Sequence, residues 1–372
     1  MKFRSERDSL VDAISTAGRA VGGRGSSSVV LSGLLLRCDG NRLVAIGTDL
    51  DLTIKVELEV IGLEDGAAVV PARLLVDIVR SLEPGAVTVE GGDDSEKVEI
   101  AAARSRFGLR SYPVVEFPSV SVADGVGVGL PGPMLAEGLR QVVRAASSDD
   151  ARPLLTGVLM ANEQGAVRLV ATDSYRLAMR DLEGTKGVTD AGGMLVPARA
   201  LVELQRLTSS GDGDGVDEIT VSTGDHEITF SRGPVRISTR LLDGTYPDYR
   251  QLIPEHYPNR LHVGKESLVA ALRRVRLLVR DNTTPVRLSM RPGGVDLTVV
   301  SQEVGDASES VDGDFTGEDM VIAFNPSYLI DGVEAVAGDE VVIETGDPSR
   351  PATVRGAERD DFQYLLMPVR VS

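Results

Sequence analysis

The stretch "VVPARLLVDIVRSL" (residues 69–82) recurs as "LVPARALVELQRL" (residues 195–207). A weaker third copy, "AFNPSYLIDGVEAV", stands at residues 323–336. Pro71, Pro197 and Pro326 lie 126 and 129 residues apart. A fixed period marks repeated structural units, provided other markers keep step with it. They do. "LSGLLLRCDGNRLVAIGTDLD" (31–51) is echoed by "LTGVLMANEQGAVRLVATDSY" (155–175), and "PVRLSMRPGGVDLTVVSQE" (285–303) is a third version without the Thr-Asp. Each unit closes on an aromatic residue or Met followed by Pro: Phe117–Pro118, Tyr246–Pro247 and Met367–Pro368. Three domains follow, 1–122, 123–254 and 255–372, each near the usual domain size.

Each unit opens with apolar residues at helical spacing. These are Leu10, Ala13, Ile14 and Ala17, then Leu135, Leu139, Val142 and Val143, then Leu268, Ala271, Leu272 and Val275. Two alternating strands come next, joined by the short turns "DGN", "EQG" and "PGG". The repeated proline then starts a second helix, since proline fits the first helical turn. Further alternating strands, such as "AVTVEG", "EITVST" and "EVVIET", complete the unit. The predicted fold class is α+β: three repeated domains, each with two helices and antiparallel sheets. "GDGDG" (211–215) and "GVGVGLPG" (125–132) read as loops.

The composition, 42% hydrophobic and 26% charged, is that of a chain able to bury cores. No apolar run approaches the ~18 residues of a membrane span. The N-terminus "MKFRSERDSL" has no signal-peptide apolar block, so a cytoplasmic protein without a membrane partner is expected. The single cysteine, Cys38, excludes an internal disulfide and a cysteine metal cluster.

The net charge of −17 argues against a nucleic-acid binder unless the charge is unevenly distributed. It is uneven. The opening helices carry +1 (7–24), 0 (134–152) and +4 (265–280), and the second helices +1 (73–82), +1 (199–206) and −2 (328–336). The six sum to +5, leaving −22 for the strands and loops. Helices lining one surface would make it positive on an acidic protein, able to hold a polyanion. Ordinary solvated helix faces account for the same count.

The repeats, "ATDSYRLA", "DGTYPDYRQLIP" (243–254) and the terminal "YLLMPVRVS" (364–372) together resemble the bacterial sliding DNA clamp, the beta subunit of the replicative DNA polymerase III. The resemblance runs the length of the chain. It implies a head-to-tail dimer closed into a ring, helices inside and sheets outside, encircling duplex DNA without reading its sequence. It also implies docking of the polymerase III alpha subunit, clamp-loader subunits and other clamp-motif proteins. A divergent paralogue with altered partners would share these features.

Residue by residue, the resemblance implies a peptide pocket. Leu155, Thr172, Ser174, Tyr175, Arg176 and Leu177 would form one wall, and Pro247, Gln251 and Leu252 another. Leu365, Leu366, Met367, Pro368, Val369 and Arg370 would form the third. Gln251 stands where the family often has a basic residue, and the chain ends in Val371–Ser372 rather than a terminal Leu. Arg24, Arg73, Arg152 and Arg199 would face DNA, and Arg274, Arg276 and Arg280 are further DNA-facing candidates, some of which must point sideways from their helix. "ARPLL" (151–155) lacks the aromatics some clamps show there. At the dimer joint, Arg104, Arg106, Phe107 and Leu109 would meet Leu277 and Leu278, with Glu303, Asp306 and Glu309 as opposite charges.

A competing reading makes "ATDSYRLAMR" (171–180) an active site, with Asp173 orienting a base, Ser174 as nucleophile and Arg176 holding a phosphate. It needs partners that the sequence does not offer. The three histidines, His226, His256 and His262, do not recur between units. No nucleophile elbow surrounds Ser174, and no phosphate loop or cofactor motif occurs. The echo "GTDLDLTIK" (47–55) makes Thr172 and Asp173 look like shared framework. What the second copy alone has is Ser174, Tyr175, Arg176 and Leu177.

Overall fold

A computed structural model describes residues 1–23, 28–92, 96–120, 127–163, 165–185, 188, 193–209, 218–254, 256–280 and 284–370. Arg24, the "GDGDG" loop, Gln164 and Val371–Ser372 lie outside them. Every strand pairing among the described residues is antiparallel, and the described helices α1 (Arg7–Ala17), α2 (Ala72–Ser81), α3 (Gly132–Val142), α4 (Ala198–Ser209), α5 (Lys265–Val275) and α6 (Pro326–Ala335) number two per repeat.

The contacts divide the chain into two compact units, residues 1–132 with 206–241, and residues 133–205 with 242–372. The first holds a five-stranded sheet, ordered Ile61–Glu64, Lys2–Glu6, Ala86–Glu90, Lys97–Ala102 and Ser105–Arg110. Its second sheet has eight strands. Their order is Val128–Pro131, Glu218–Thr223, Glu227–Arg232, Val235–Arg240, Leu52–Glu59, Arg42–Thr48, Gly33–Asp39 and Gly66–Pro71. The second unit holds one twelve-stranded sheet. It begins Met194–Pro197, Gly157–Glu163, Ala166–Thr172, Arg176–Leu182, Phe362–Leu366 and Ala352–Gly356. It continues Glu340–Thr345, Asn259–Gly264, Gly305–Thr316, Gly294–Ser301, Val286–Arg291 and Met320–Phe324.

The sheets explain why three repeats make two units. The terminal strand of the second repeat, Val235–Arg240, hydrogen-bonds to Leu52–Glu59 of the first. The terminal strand of the third, Phe362–Leu366, does the same to Arg176–Leu182 of the second. Backbone groups that would lie open at a repeat's edge are thereby satisfied by the next repeat.

The helical spacing holds in detail. Leu10, Ala13, Ile14 and Ala17 of α1 are buried, as are Leu268, Ala271, Leu272 and Val275 of α5. Leu135, Leu139, Val142 and Val143 are buried too. The proline reading shifts by one residue. Pro71 and Pro197 end the preceding strand and stand just before α2 and α4. Only Pro326 occupies the first helical position, where Asn325 caps α6 by accepting from the Ser327 and Tyr328 backbone N–H groups at 2.9 and 3.3 Å.

Candidate functional site

The turn joining Ala166–Thr172 to Arg176–Leu182 is built from its own side chains. Thr172 Oγ1 donates to the Arg176 carbonyl at 2.6 Å and accepts from the Ser174 N–H at 3.1 Å. Asp173 Oδ1 accepts from the Tyr175 and Arg176 N–H groups at 2.9 and 3.0 Å. The first repeat makes the same turn. Thr48 Oγ1 bonds the Leu52 carbonyl and the Leu50 N–H, each at 3.1 Å, and Asp49 Oδ1 accepts from Asp51 and Leu52. The third position is left-handed in both, with φ of 84° at Leu50 and 79° at Ser174. Asp173 therefore spends its carboxylate on backbone and on Arg176, and Ser174 Oγ accepts from Arg152 Nη1 at 3.1 Å. These are the bonds of a turn.

Strand alternation then sends neighbouring residues to opposite faces. Leu177 and its cross-strand partner Leu365 join Val170, Met179 and Tyr249 in one buried cluster, against which Leu159, Tyr246 and Ile253 pack. The Tyr249 hydroxyl donates to Glu163 Oε1 at 2.6 Å, and the Arg250 guanidinium lies 4.9 Å from its ring centroid. Glu163 is itself held by Arg168 at 2.7 Å, and Arg168 grips Asp181 through two bonds of 2.6 and 2.7 Å. Close in sequence to these buried residues are exposed side chains: Tyr175 (59% exposed) in the turn, Leu252 (48%) after Tyr249, and Met367 (42%) after Leu365. The Met367 N–H donates to the Tyr175 carbonyl at 2.9 Å, which fixes the C-terminal segment to the turn. Pro247, Gln251 and Arg370 are exposed, and Pro368 and Val369 half-buried. Leu155 and Thr172 are buried.

Arg176 and Leu366 occupy the other face of the sheet, paired directly across the strands. Arg176 is nearly buried there. It donates to Asp173 Oδ2 at 3.0 Å, to Asp331 Oδ2 at 2.5 Å and to the Arg144 carbonyl at 2.5 Å, and its guanidinium lies 4.3 Å from the Tyr328 ring centroid. The Tyr175 ring stacks on Tyr328 with centroids 6.5 Å apart. Burial opposes the Arg176 charge, but the hydroxyl of Tyr364 and the carboxylates of Asp331 and Asp173 outweigh it and raise its pKa. Arg176 thus clamps the turn, a strand and α6 together from behind the apolar seat. Removing one partner of a buried ion pair costs about 3–5 kcal/mol, because the other charge is left unpaired. Arg176→Ala should lower the thermal midpoint by at least about 5 °C. Arg273→Ala, which frees Glu334 from an exposed 2.7 Å contact, should shift it by about 1 °C or less, both read by calorimetry.

The arginines assigned to the DNA-facing surface divide into two groups. Arg73 on α2, Arg199 on α4, and Arg276 and Arg280 beyond α5 are exposed. Arg152 is tied to Asp149 at 3.0 Å as well as to Ser174, placing it at the Thr172–Arg176 turn. Arg274 forms a bidentate pair with Glu309 at 2.8 and 2.7 Å, so a residue read as DNA-facing is engaged by one read as belonging to the dimer joint.

For that joint, Ser105–Arg110 ends its sheet and has one strand neighbour. Arg104 and Arg106 are exposed, Phe107 is 39% exposed and Leu109 is buried. Leu277 is 82% exposed beside half-buried Leu278, and Glu303 and Asp306 are exposed. The strand Gly305–Thr316 pairs with Gly294–Ser301 along residues 305–312 and with Asn259–Gly264 only along 313–316. Among the described residues, the 305–312 edge has no second neighbour.

Val170, Met179 and Tyr249 were missed as floor residues, although the period-2 pattern through Leu177 points to Met179. Tyr328 and Asp331 were missed because they come from a helix some 150 residues away in sequence.

A thrice-repeated α+β unit and a turn whose polar side chains are spent on structural bonds describe a scaffold rather than a reaction centre. Comparison with known proteins names the kind. Models of the N-terminal, central and C-terminal domains of the DNA polymerase III beta subunit match residues 1–121, 129–248 and 250–370. The beta sliding clamp of Streptomyces coelicolor is 34% identical, and that of Caulobacter vibrioides 32%, each over the whole of both chains. A crystal structure of the sliding clamp of Bartonella birtlesii bound to griselimycin is 31% identical over both full chains, with a TM-score of 0.92. The chain belongs to the DNA polymerase III beta subunit family, the sliding clamps, and like them is a non-catalytic processivity factor of DNA replication.

Proposed function

We propose that two chains join head to tail into a ring that encircles duplex DNA, slides along it and tethers the replicative polymerase. The open strand edges carry this reading. Inside the chain, the terminal strands of the second and third repeats lie on the fourth strand of the repeat before. Among the described residues, the terminal strand of the first repeat, Ser105–Arg110, and the fourth strand of the last, at 305–312, are each left with an unused edge. Copying the register of Ile237 opposite Ile54 sets Phe107 opposite Ala307 of the partner subunit. Arg106 then lies opposite Ser308 of the partner subunit, with the partner's Asp306 on the diagonal, within reach of an arginine.

Each chain supplies three domains to the ring, at 1–122, 123–254 and 255–372. Arg73, Arg199, Arg276 and Arg280, with Arg24, Arg152 and Arg274, meet phosphates, which hold DNA without reading it and let the protein slide. The seat formed by Leu177, Tyr249 and Leu365, rimmed by Tyr175, Leu252 and Met367, takes the short apolar motif of the polymerase alpha subunit, clamp-loader subunits and other clamp-motif proteins. Tethering works by effective concentration, keeping the polymerase beside its primer end. The protein acts in the cytoplasm, at the nucleoid during replication. Among the described residues no helix is long and apolar enough to cross a membrane.

Protein assembled on a nicked circular plasmid should remain bound through gel filtration and leave when the plasmid is linearised. Equal retention on circle and line would overturn the topological reading.

A further inference from the structure

The repeat places a second notch where the first unit mirrors the docking turn. Around the Thr48–Asp51 turn lies an open notch of about 280 Å³, walled by Pro118–Val120 and by the end of the strand Val235–Arg240. It corresponds to the apolar seat of the second unit, because Ser238 pairs with Thr53 as Leu365 pairs with Leu177. The chemistry is inverted. Where the second unit has two buried leucines, the first has two buried hydroxyls. Thr53 Oγ1 lies 2.8 Å from Thr48 Oγ1, and Ser238 Oγ lies 2.9 Å from Thr229 Oγ1. Thr48 Oγ1 gives its one proton to the Leu52 carbonyl, so Thr53 donates to it and keeps its acceptor lone pairs for a ligand.

The rim has charges of both signs. Glu227 and Arg240 face each other across adjacent strands and offset one another, which leaves Asp51 in excess. The chain as a whole carries −17 and draws cationic segments toward it. Leu50, 53% exposed, is held over the notch at φ 84°. A leucine in that region costs about 1–2 kcal/mol, and such outliers concentrate at functional sites. Its side chain offers an apolar lip for the stem of a long basic residue.

We propose that this notch is a second docking site, taking a short polar segment of a partner protein with a Lys or Arg side chain seated beside Asp51 over the hydroxyl floor. It goes beyond the docking seat at Leu177 and stands on the first unit's own geometry. A partner carrying both an apolar motif and a basic polar segment would then grip the chain at two chemically distinct places.

The test titrates capped Ser-Arg-Thr and Ser-Glu-Thr tripeptides into the full-length protein and follows the threonine methyl signals by NMR. The basic peptide should shift Thr48 and Thr53 saturably, and the acidic peptide should bind at least about fivefold more weakly. Asp51→Arg should weaken the basic peptide by about fivefold, and Arg240→Glu should tighten it, a gain that a damaged fold cannot produce. Absent shifts, equal binding of the two peptides, or the same affinity in both variants would overturn the proposal. Binding of an apolar clamp-motif peptide at Leu177, read in the same samples, stands or falls separately.

Discussion

Phe107→Asp should convert the proposed dimer into monomers and abolish retention on circular DNA. Phe107 is 39% exposed in the single chain, on a strand whose outer edge is unpaired. In the proposed joint, the register inherited from Ile237 on Ile54 sets Phe107 opposite Ala307 of the partner subunit. Large aromatic anchors at the centre of an interface are worth about 2–4 kcal/mol each when removed. Aspartate adds a second loss, because it brings a carboxylate among Glu303, Asp306 and Glu309. Dimer dissociation should therefore rise by about a thousandfold, read by sedimentation equilibrium across micromolar concentrations. Leu63→Asp, exposed on a strand at the opposite edge of the same sheet, should leave the dimer intact. A Phe107→Asp protein that still sediments as a dimer at low concentration would exclude this joint.

The helical core was legible because spacing alone decides it: every apolar residue chosen on α1 and α5 is buried. The Thr-Asp turn was legible for a different reason. A motif repeated at equivalent places in two units is framework before it is function, and the matching bonds of Thr48 and Thr172 bear that out. Side-chain direction was less accessible. Arg176 and Leu177 are adjacent in sequence, yet one clamps the back of the sheet and the other floors the seat. Assigning both to one wall ignored the strand's period of two. The pairing of Arg274 with Glu309 was out of reach, since no local pattern links a helix arginine to a strand glutamate 35 residues on. The interleaving of repeats was equally hidden. Terminal strands that serve the preceding repeat carry the same alternation as strands that serve their own.

The second large effect is expected at the C-terminal segment, and the strand boundary decides how to test it. Leu365 and Leu366 are buried, and Leu365 packs in the cluster with Leu177 and Tyr249. A truncation beginning at Leu365 would open that core and cost several kcal/mol, confusing docking with folding. Deletion of residues 367–372 spares the strand and removes only the rim. It takes away the Met367 side chain, the bond from its N–H to the Tyr175 carbonyl, and the bond from Val369 to the Ala323 carbonyl. Tyr175 then loses its fixed neighbour, and the seat loses a wall against which an apolar motif can bury surface. Two rim anchors lost at about 1.5 kcal/mol each predict a fall of about a hundredfold or more in affinity for a polymerase-derived motif peptide, measured by calorimetry. The dimer and the thermal midpoint should barely change, since the side chains of residues 367–370 are exposed or half-buried. Gln251→Ala, at an exposed position and bonded to Asp248 at 2.9 Å, should cost about threefold or less. If the deleted protein binds the peptide as tightly as the intact chain, the motif docks elsewhere and the Leu177 seat is core alone.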